Sequence, residues 1–307
     1  MKLLKKVVPV IITVIIIYAV FLLLSDVDKI IDKIINFKLE FVPIILGLVI
    51  SSWFIVYLRW NLLLKNLGII VPHKINFQIF LVGGALGITP GKIGELFKSQ
   101  ILKDKFDIPR SKTAPLFIIE KFFDITGALI VTSFGIWFIP ELGYLSIIGL
   151  VCLFLLFKIL VSKKLFDKSF TFFSRFNLLK KYLEPLSSSH EIIITSLKNK
   201  NILIFSLLSI FYWLIIGLAA FFVIQGLGIS SISIINMIST YSGSLIAGAL
   251  SFIPGGIGVA EGSFIGLFSA QNIELSEAVV IVVLIRLFTL WFSTITGFIA
   301  LKTSKTI

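Results

Sequence analysis

The chain has 307 residues, 57% of them hydrophobic and only 14% charged, with a mean hydropathy of +1.07. That balance excludes a soluble globular domain of this size and points to a single membrane domain of long apolar helices. The net charge of +12 raises nucleic acid as a partner. The bases, however, lie in short loops beside apolar spans, where topology and anionic lipid head groups account for them, so no nucleic acid is expected.

In chain order, Lys2, Lys5 and Lys6 precede residues 7–24, which are apolar apart from Thr13 and Tyr18. This reads as the first membrane helix. A signal peptide is the rival, but the run is longer than the usual apolar core and Ser25-Asp26 is a poor cleavage site. Residues 25–40 form a polar loop or interfacial helix. The second span opens at Pro43 and runs to about Leu64, with Arg59 near its end, placed to snorkel to the head groups.

Residues 75–102 are the first interrupted segment. Pro90, Gly91, Lys92, Ile93, Gly94 and Glu95 break an apolar run, so two short helices are expected to meet at Thr89-Pro90-Gly91. Such backbone belongs where protein or a polar cavity surrounds it, because lipid satisfies no freed N–H or C=O group. The loop that follows is expected to hold Lys98, Lys103, Lys105, Arg110 and Lys112. Residues 113–139 are the third span, and Glu120, Asp124 and Gly127 share one face of it beside Lys121.

The fourth span covers 144–161. Residues 162–200 carry eight Lys/Arg interleaved with phenylalanines, which suits interfacial helices on an anionic lipid surface. The fifth span covers 201–227, where Ser206, Ser209, Trp213 and Gly217 fall on one stripe expected to pack closely against another helix. Residues 233–268 are the second interrupted segment. The sixth span, 278–301, carries Arg286, and Lys302 and Lys305 follow it. Cys152 is the single cysteine and His73 and His190 are isolated, so no disulfide, metal or cofactor is expected.

The two interrupted segments echo each other. Pro90-Gly91-x-Ile93-Gly94 matches Pro254-Gly255-x-Ile257-Gly258, with Glu95 after the first and Glu261 after the second. Leu67-Gly68-Ile69 and Leu227-Gly228-Ile229 lie upstream of the respective copies. Charges in an apolar span lie downstream, Glu120-Lys121 in one and Arg286 in the other. The expected organisation is an N-terminal helix and loop (1–40), repeat 1 (41–139), a connecting helix and basic segment (140–200) and repeat 2 (201–307).

The distribution of Lys and Arg sets the topology. Both termini fall in the cytoplasm, and every loop fits if segments 75–102 and 233–268 are re-entrant. The expected fold is therefore an all-α polytopic membrane protein of about six transmembrane helices. Two opposed re-entrant hairpins in an inverted repeat bring their tips together near the midplane, a recurrent transporter plan.

After each Pro-Gly a short helix is expected to start, with N–H groups free to attract an anion. Gly91, Gly94, Gly255, Gly256 and Gly258 would let a head group approach the backbone beside Pro90 and Pro254. Lys92, Lys121 and Arg286 would contact phosphate, and Glu95, Glu120, Asp124 and Glu261 would balance the cations or meet an amine. The bland reading is an internal network, Glu120 with Lys121 or Asp124 with Arg286, that only locks the helices. No nucleophile, metal motif or nucleotide fingerprint supports an enzyme.

These residues resemble a known family. Pro90-Gly91-Lys92-x-Gly94-Glu95 is similar to the Pro-Gly-Arg-x-Gly-Glu motif of the lysylphosphatidylglycerol synthase transmembrane region, or flippase-like domain, family. Glu120-Lys121-x-x-Asp124 resembles its Glu-Arg-x-x-Asp element. Pro254-Gly255-Gly256-x-Gly258-x-x-Glu261 resembles its second motif, and Arg286 falls at its late arginine. The resemblance implies lipid translocation, as in the multiple peptide resistance factor, with membrane lipids of anionic or phosphate-bearing head group as partners. It leaves a homo-oligomer and an accessory role in lipid or envelope biosynthesis open. Lys92 and Lys121 depart from the family's arginines, keeping charge but losing a bidentate fork.

Overall fold

The computed structural model describes residues 27–137, 139–173, 190–197 and 201–303. The expected first span, 7–24, and much of the basic connection, 174–189 and 198–200, lie outside the described residues. Among the described residues the chain is helical, with no strand.

The principal helices are α1 (Val27–Ile35), α2 (Val42–Asn66), α3 (His73–Ala85), α4 (Phe97–Phe106), α5 (Pro115–Ser133), α6 (Pro140–Val161) and α7 (Lys163–Phe173). They continue with α8 (Ile202–Gly226), α9 (Ile234–Leu250), α10 (Val259–Ser269), α11 (Leu275–Arg286) and α12 (Phe292–Thr303). Segments Leu39–Asn66, Leu142–Val161, Ile202–Gly226 and Leu275–Thr303 are long and apolar enough to cross a membrane. Helix α5 is about as long, but Glu120, Lys121 and Asp124 interrupt its apolar sequence. On α6, Leu145, Ile148, Val151 and Leu155 are all exposed, an apolar surface suited to lipid.

The element order repeats. A long helix (α2, α8) ends in Leu-Gly-Ile, two short helices follow around a Pro-Gly turn (α3 and α4, α9 and α10), and a further helix closes each set (α5, and α11 with α12). The Leu-Gly-Ile echo has a backbone cause. Gly68 and Gly228 adopt left-handed φ values of 71° and 74°. The Gly68 N–H donates to Lys65 and the Ile69 N–H to Leu64; the Gly228 N–H donates to Gln225 and the Ile229 N–H to Ile224. Both are Schellman terminations, in which glycine takes the left-handed residue and the last carbonyls gain donors.

Neither α3 nor α4 is long enough to cross alone. At 1.5 Å per residue, α3 and α4 are roughly 20 and 15 Å long against about 30 Å of hydrocarbon. They fold back on each other, as do α9 and α10. Packing then exchanges the halves. The first hairpin's α3 lies along α12 of the second half, while the second hairpin's α9 lies along α5 of the first half; α2 and α8 pack together between them. Close approach needs small residues. A Cβ on Gly297 would run into the Leu81 carbonyl and Ala85, and one on Gly127 would sit 2.8 Å from the Ser209 carbonyl carbon. The expected stripe on the fifth span is met in part: Ser209, Trp213 and Gly217 are buried, and Ser206 is half-buried.

The last helix is not continuous. Leu287–Trp291 form a single π segment between α11 and α12, directly after Arg286. Helix α11 packs against α10 and α12 against α3, so this segment joins the part that touches the second hairpin to the part that touches the first.

Candidate functional site

Each Pro-Gly turn is built from local backbone. In the first, Leu86–Ile88 and Pro90–Leu96 are 3-10 turns flanking an extended Thr89. The Thr89 hydroxyl donates to the Leu86 carbonyl at 2.8 Å and accepts from the Gly94 N–H at 2.7 Å, which closes the loop. Lys92 has a left-handed φ of 57° and an exposed side chain. In the second, Gly255, Gly256 and Gly258 have φ of 63°, 67° and 89°. The two turns pack on each other, and a Cβ on Gly255 would lie 3.3 Å from Ile88.

At the start of the short helix after the second turn, one N–H is taken by the chain itself. Glu261 reaches back and accepts from the Gly258 N–H at 2.6 Å, so the chain's own carboxylate caps α10. After the first turn the backbone stays in 3-10 form through Leu96, and α4 starts only at Phe97, seven residues beyond Pro90.

Glu261 is completely buried, and the Arg286 Nε donates to its Oε1 at 2.7 Å. Arg286 is itself 4% exposed, and its Nη2 is buried without a hydrogen-bond partner. On α5, Glu120 accepts from Lys98 through both oxygens, at 2.9 and 2.8 Å. The same Lys98 Nζ sits 4.2 Å from the centre of the Trp60 ring. Lys121 donates to Glu95 at 2.9 Å and to Asp124 at 3.3 Å. The other Asp124 oxygen takes Arg59 at 2.5 Å, and Arg59 also donates to Ser209. The Trp213 indole N–H holds the Asp124 carbonyl at 2.8 Å.

Several sequence expectations change. Arg59 does not snorkel: it is 1% exposed and pairs with Asp124, because it lies seven residues, or about 10 Å, inside the end of α2. Lys98 is not in a basic loop: it is buried in α4, its aliphatic stem lying on Gly83. The pairs Glu120–Lys121 and Asp124–Arg286 do not form. Neighbours in sequence point to different sides of a helix, so Glu120 turns to Lys98 while Lys121 turns to Glu95, and Arg286 finds Glu261 instead.

Thus Glu95, Lys121 and Asp124 assemble at the first turn, Glu261 and Arg286 stand at the second, and Glu120 belongs to a separate buried pair. Arg59 and Lys98 are the members that sequence reasoning missed. For Arg59, depth inside the helix was the available signal. Among the described residues Lys92 makes no ion pair, although it lies within electrostatic reach of Glu95, Lys121, Asp124 and Arg286.

Among the described residues no group of three His, Cys, Asp or Glu side chains converges as a metal site. A cavity of about 370 Å³ lies elsewhere, between α1 and α11, lined by Asp32, Asn36, Glu274 and the Lys33–Glu277 pair. It shares no residue with the turns. What the turns themselves offer is a meeting point of two interrupted helices where carboxylates are matched and a cation is not.

A family model described as "Lysylphosphatidylglycerol synthase TM region" matches residues 10–297. No curated protein and no solved structure matches the chain.

Proposed function

We propose that the chain, which belongs to the lysylphosphatidylglycerol synthase TM region family, is a polytopic membrane protein that translocates a polar or phosphate-bearing lipid head group between its two Pro-Gly turns. The observation that carries this reading is the meeting of the turns from the two halves, with Lys92, Glu95, Lys121 and Asp124 on one side and Glu261 and Arg286 on the other. Intramembrane charge beside interrupted helices at a repeat interface is how transporters build a midplane site. The acyl chains would stay in lipid while the head group passes the turns.

In this reading the hairpins are re-entrant from opposite faces of the cell membrane, the repeats are inverted, about six helices cross, and both termini are cytoplasmic. The exchange of packing between halves supports a two-fold relation between the repeats. The positive loops support the orientation. No residue is assigned a catalytic role.

A second reading, a non-transporting accessory of lipid or envelope biosynthesis, draws on one observation: every carboxylate of the cluster already has a cation, as a purely structural lock would require. Purified protein in vesicles of defined lipid separates the two. Transport predicts that wild type accelerates transbilayer exchange of a head-group-labelled lipid and that Glu95→Gln lowers the rate by about tenfold, a loss of roughly 1.4 kcal/mol in barrier stabilisation. No acceleration by the protein alone would favour the accessory role.

A further inference from the structure

We propose that the cavity between α1 and α11 binds a small organic dication, two ammonium groups on a short apolar chain, at a site separate from the Pro-Gly turns. Such a site is independent of whether the turns move lipid. Glu277 at the cavity and Arg286 at the second turn are nine residues apart on α11, roughly 14 Å along its axis.

The walls of the cavity are fixed by packing. Helix α1 and the residues after it are pinned to the core through buried Ile30 and Phe37. The Phe37 ring fills the space that a Cβ on Gly226 would need, and the Lys38 N–H donates to the Gly226 carbonyl at 2.9 Å. Lys33 then donates to Glu277 Oε1 at 2.7 Å, which ties α1 to the first turn of α11. About 370 Å³ remains between the two helices. Small-molecule sites occupy roughly 300–1,000 Å³.

The lining sets the charge and shape of the ligand. Asp32, Glu274 and Glu277 face the cavity against Lys33, three carboxylates to one ammonium. The N-terminus of α11 adds only about half a positive charge, so an anion is repelled and a dication is matched. Among the described residues the Asp32 carboxylate has no ion pair or hydrogen bond, and Lys33 occupies just one oxygen of Glu277. Ser276 is an independent mark of a ligand. It lines the cavity and is only 7% exposed, yet its hydroxyl has no hydrogen-bond partner among the described residues. As the second residue of α11 it has no carbonyl four positions back in its own helix. An unmatched buried hydroxyl carries a desolvation cost, and an ammonium N–H relieves it. Buried Leu227 supplies an apolar wall for a methylene chain. The described carboxylates do not converge as a metal site requires. A point charge therefore finds an incomplete shell, whereas a ligand with a charge at each end meets separated acids.

The test is titration calorimetry of the purified full-length protein with 1,4-diaminobutane at about 0.15 M salt, where loose surface attraction is screened. Saturable binding, with 1-aminobutane about tenfold weaker, is the expected result. Asp32→Asn should weaken the diamine by about fivefold and Ser276→Ala by about threefold. Neither change breaks a side-chain bond of the described fold, and unfolding midpoints equal to wild type verify that both variants are intact. The serine variant separates a built site from an acidic surface, because removing a neutral hydroxyl leaves the surface charge unchanged. No saturable binding, equal affinity for 1-aminobutane, or full affinity in either variant overturns the proposal. So does complete displacement of the diamine by an equal concentration of magnesium ion, which would make this a site for simple cations. Repeating the titration in lipid nanodiscs with and without phosphatidylethanolamine identifies the source of the ammonium. Unchanged affinity assigns the site to a free dication. Binding lost in the presence of that lipid transfers the site to an ammonium head group and overturns the dication.

Discussion

The two hairpins follow one plan and solve it with different chemistry. The second is capped by its own carboxylate and takes one cation from outside. Three glycines with left-handed φ make its turn, Glu261 caps its own helix, and a single buried arginine neutralises that carboxylate. The first is tied by its own threonine and takes more of its charge partners from outside. Thr89 ties its loop, and its charges find partners on α5, Lys121 for Glu95 and Glu120 for Lys98. One turn thus needs a single outside cation, Arg286 on α11, while the other depends on a network that ends in an unmatched lysine. A symmetric backbone does not require a symmetric electrostatic role, and the surplus cation sits on the side with the larger network.

Substitutions can break that comparison, and the largest effect should come from the isolated pair. Arg286→Ala strands a fully buried Glu261, a loss of about 3–5 kcal/mol. Lys121→Ala should cost only about 1 kcal/mol, because its side chain is 22% exposed and Asp124 keeps Arg59. Thermal unfolding midpoints in one detergent decide the order. A Lys121→Ala loss as large as that of Arg286→Ala would mean the first hairpin is no better buffered than the second.

The next effect is steric. Gly256→Ala places a Cβ 2.9 Å from the Gly248 Cα at a φ of 67°, and should cost about 2 kcal/mol in the same unfolding assay. An unchanged midpoint would show that the second turn relaxes freely. The smallest effect has the opposite sign. Gly262 lies inside α10 with nothing within 4 Å of an added Cβ, so Gly262→Ala should stabilise by up to about 1 kcal/mol. A loss there would place lipid or protein contacts on that face of α10.

What could be read from sequence was what the backbone itself encodes. Leu67-Gly68-Ile69 and Leu227-Gly228-Ile229 end helices because a left-handed glycine is needed where they stand, and the Pro-Gly runs interrupt helices for equally local reasons. The repeating element order followed from these marks. The ion pairs did not, because partners such as Arg59 and Asp124 lie 65 positions apart and meet only through the packing of α2 and α5 on α8. Spacing along one helix tells which residues share a face, not which helix faces them. Lys98 was misplaced for the same reason, as its loop-like neighbours Lys103 and Lys105 gave no hint of Gly83 across the hairpin. The π segment at Leu287–Trp291 had no proline or glycine to announce it.

That segment has a consequence in phase. In an unbroken α-helix, positions eleven apart return to within roughly 20° of the same direction, so Arg286 and Gly297 would look the same way. A π turn absorbs about one additional residue, and the following helix is turned back by roughly 100°. Arg286 can therefore address Glu261 in the second hairpin while Gly297 receives α3 of the first. Deleting one residue between 287 and 291 would restore the ordinary winding and bring those two faces into register, so a single helix could no longer serve both hairpins at once.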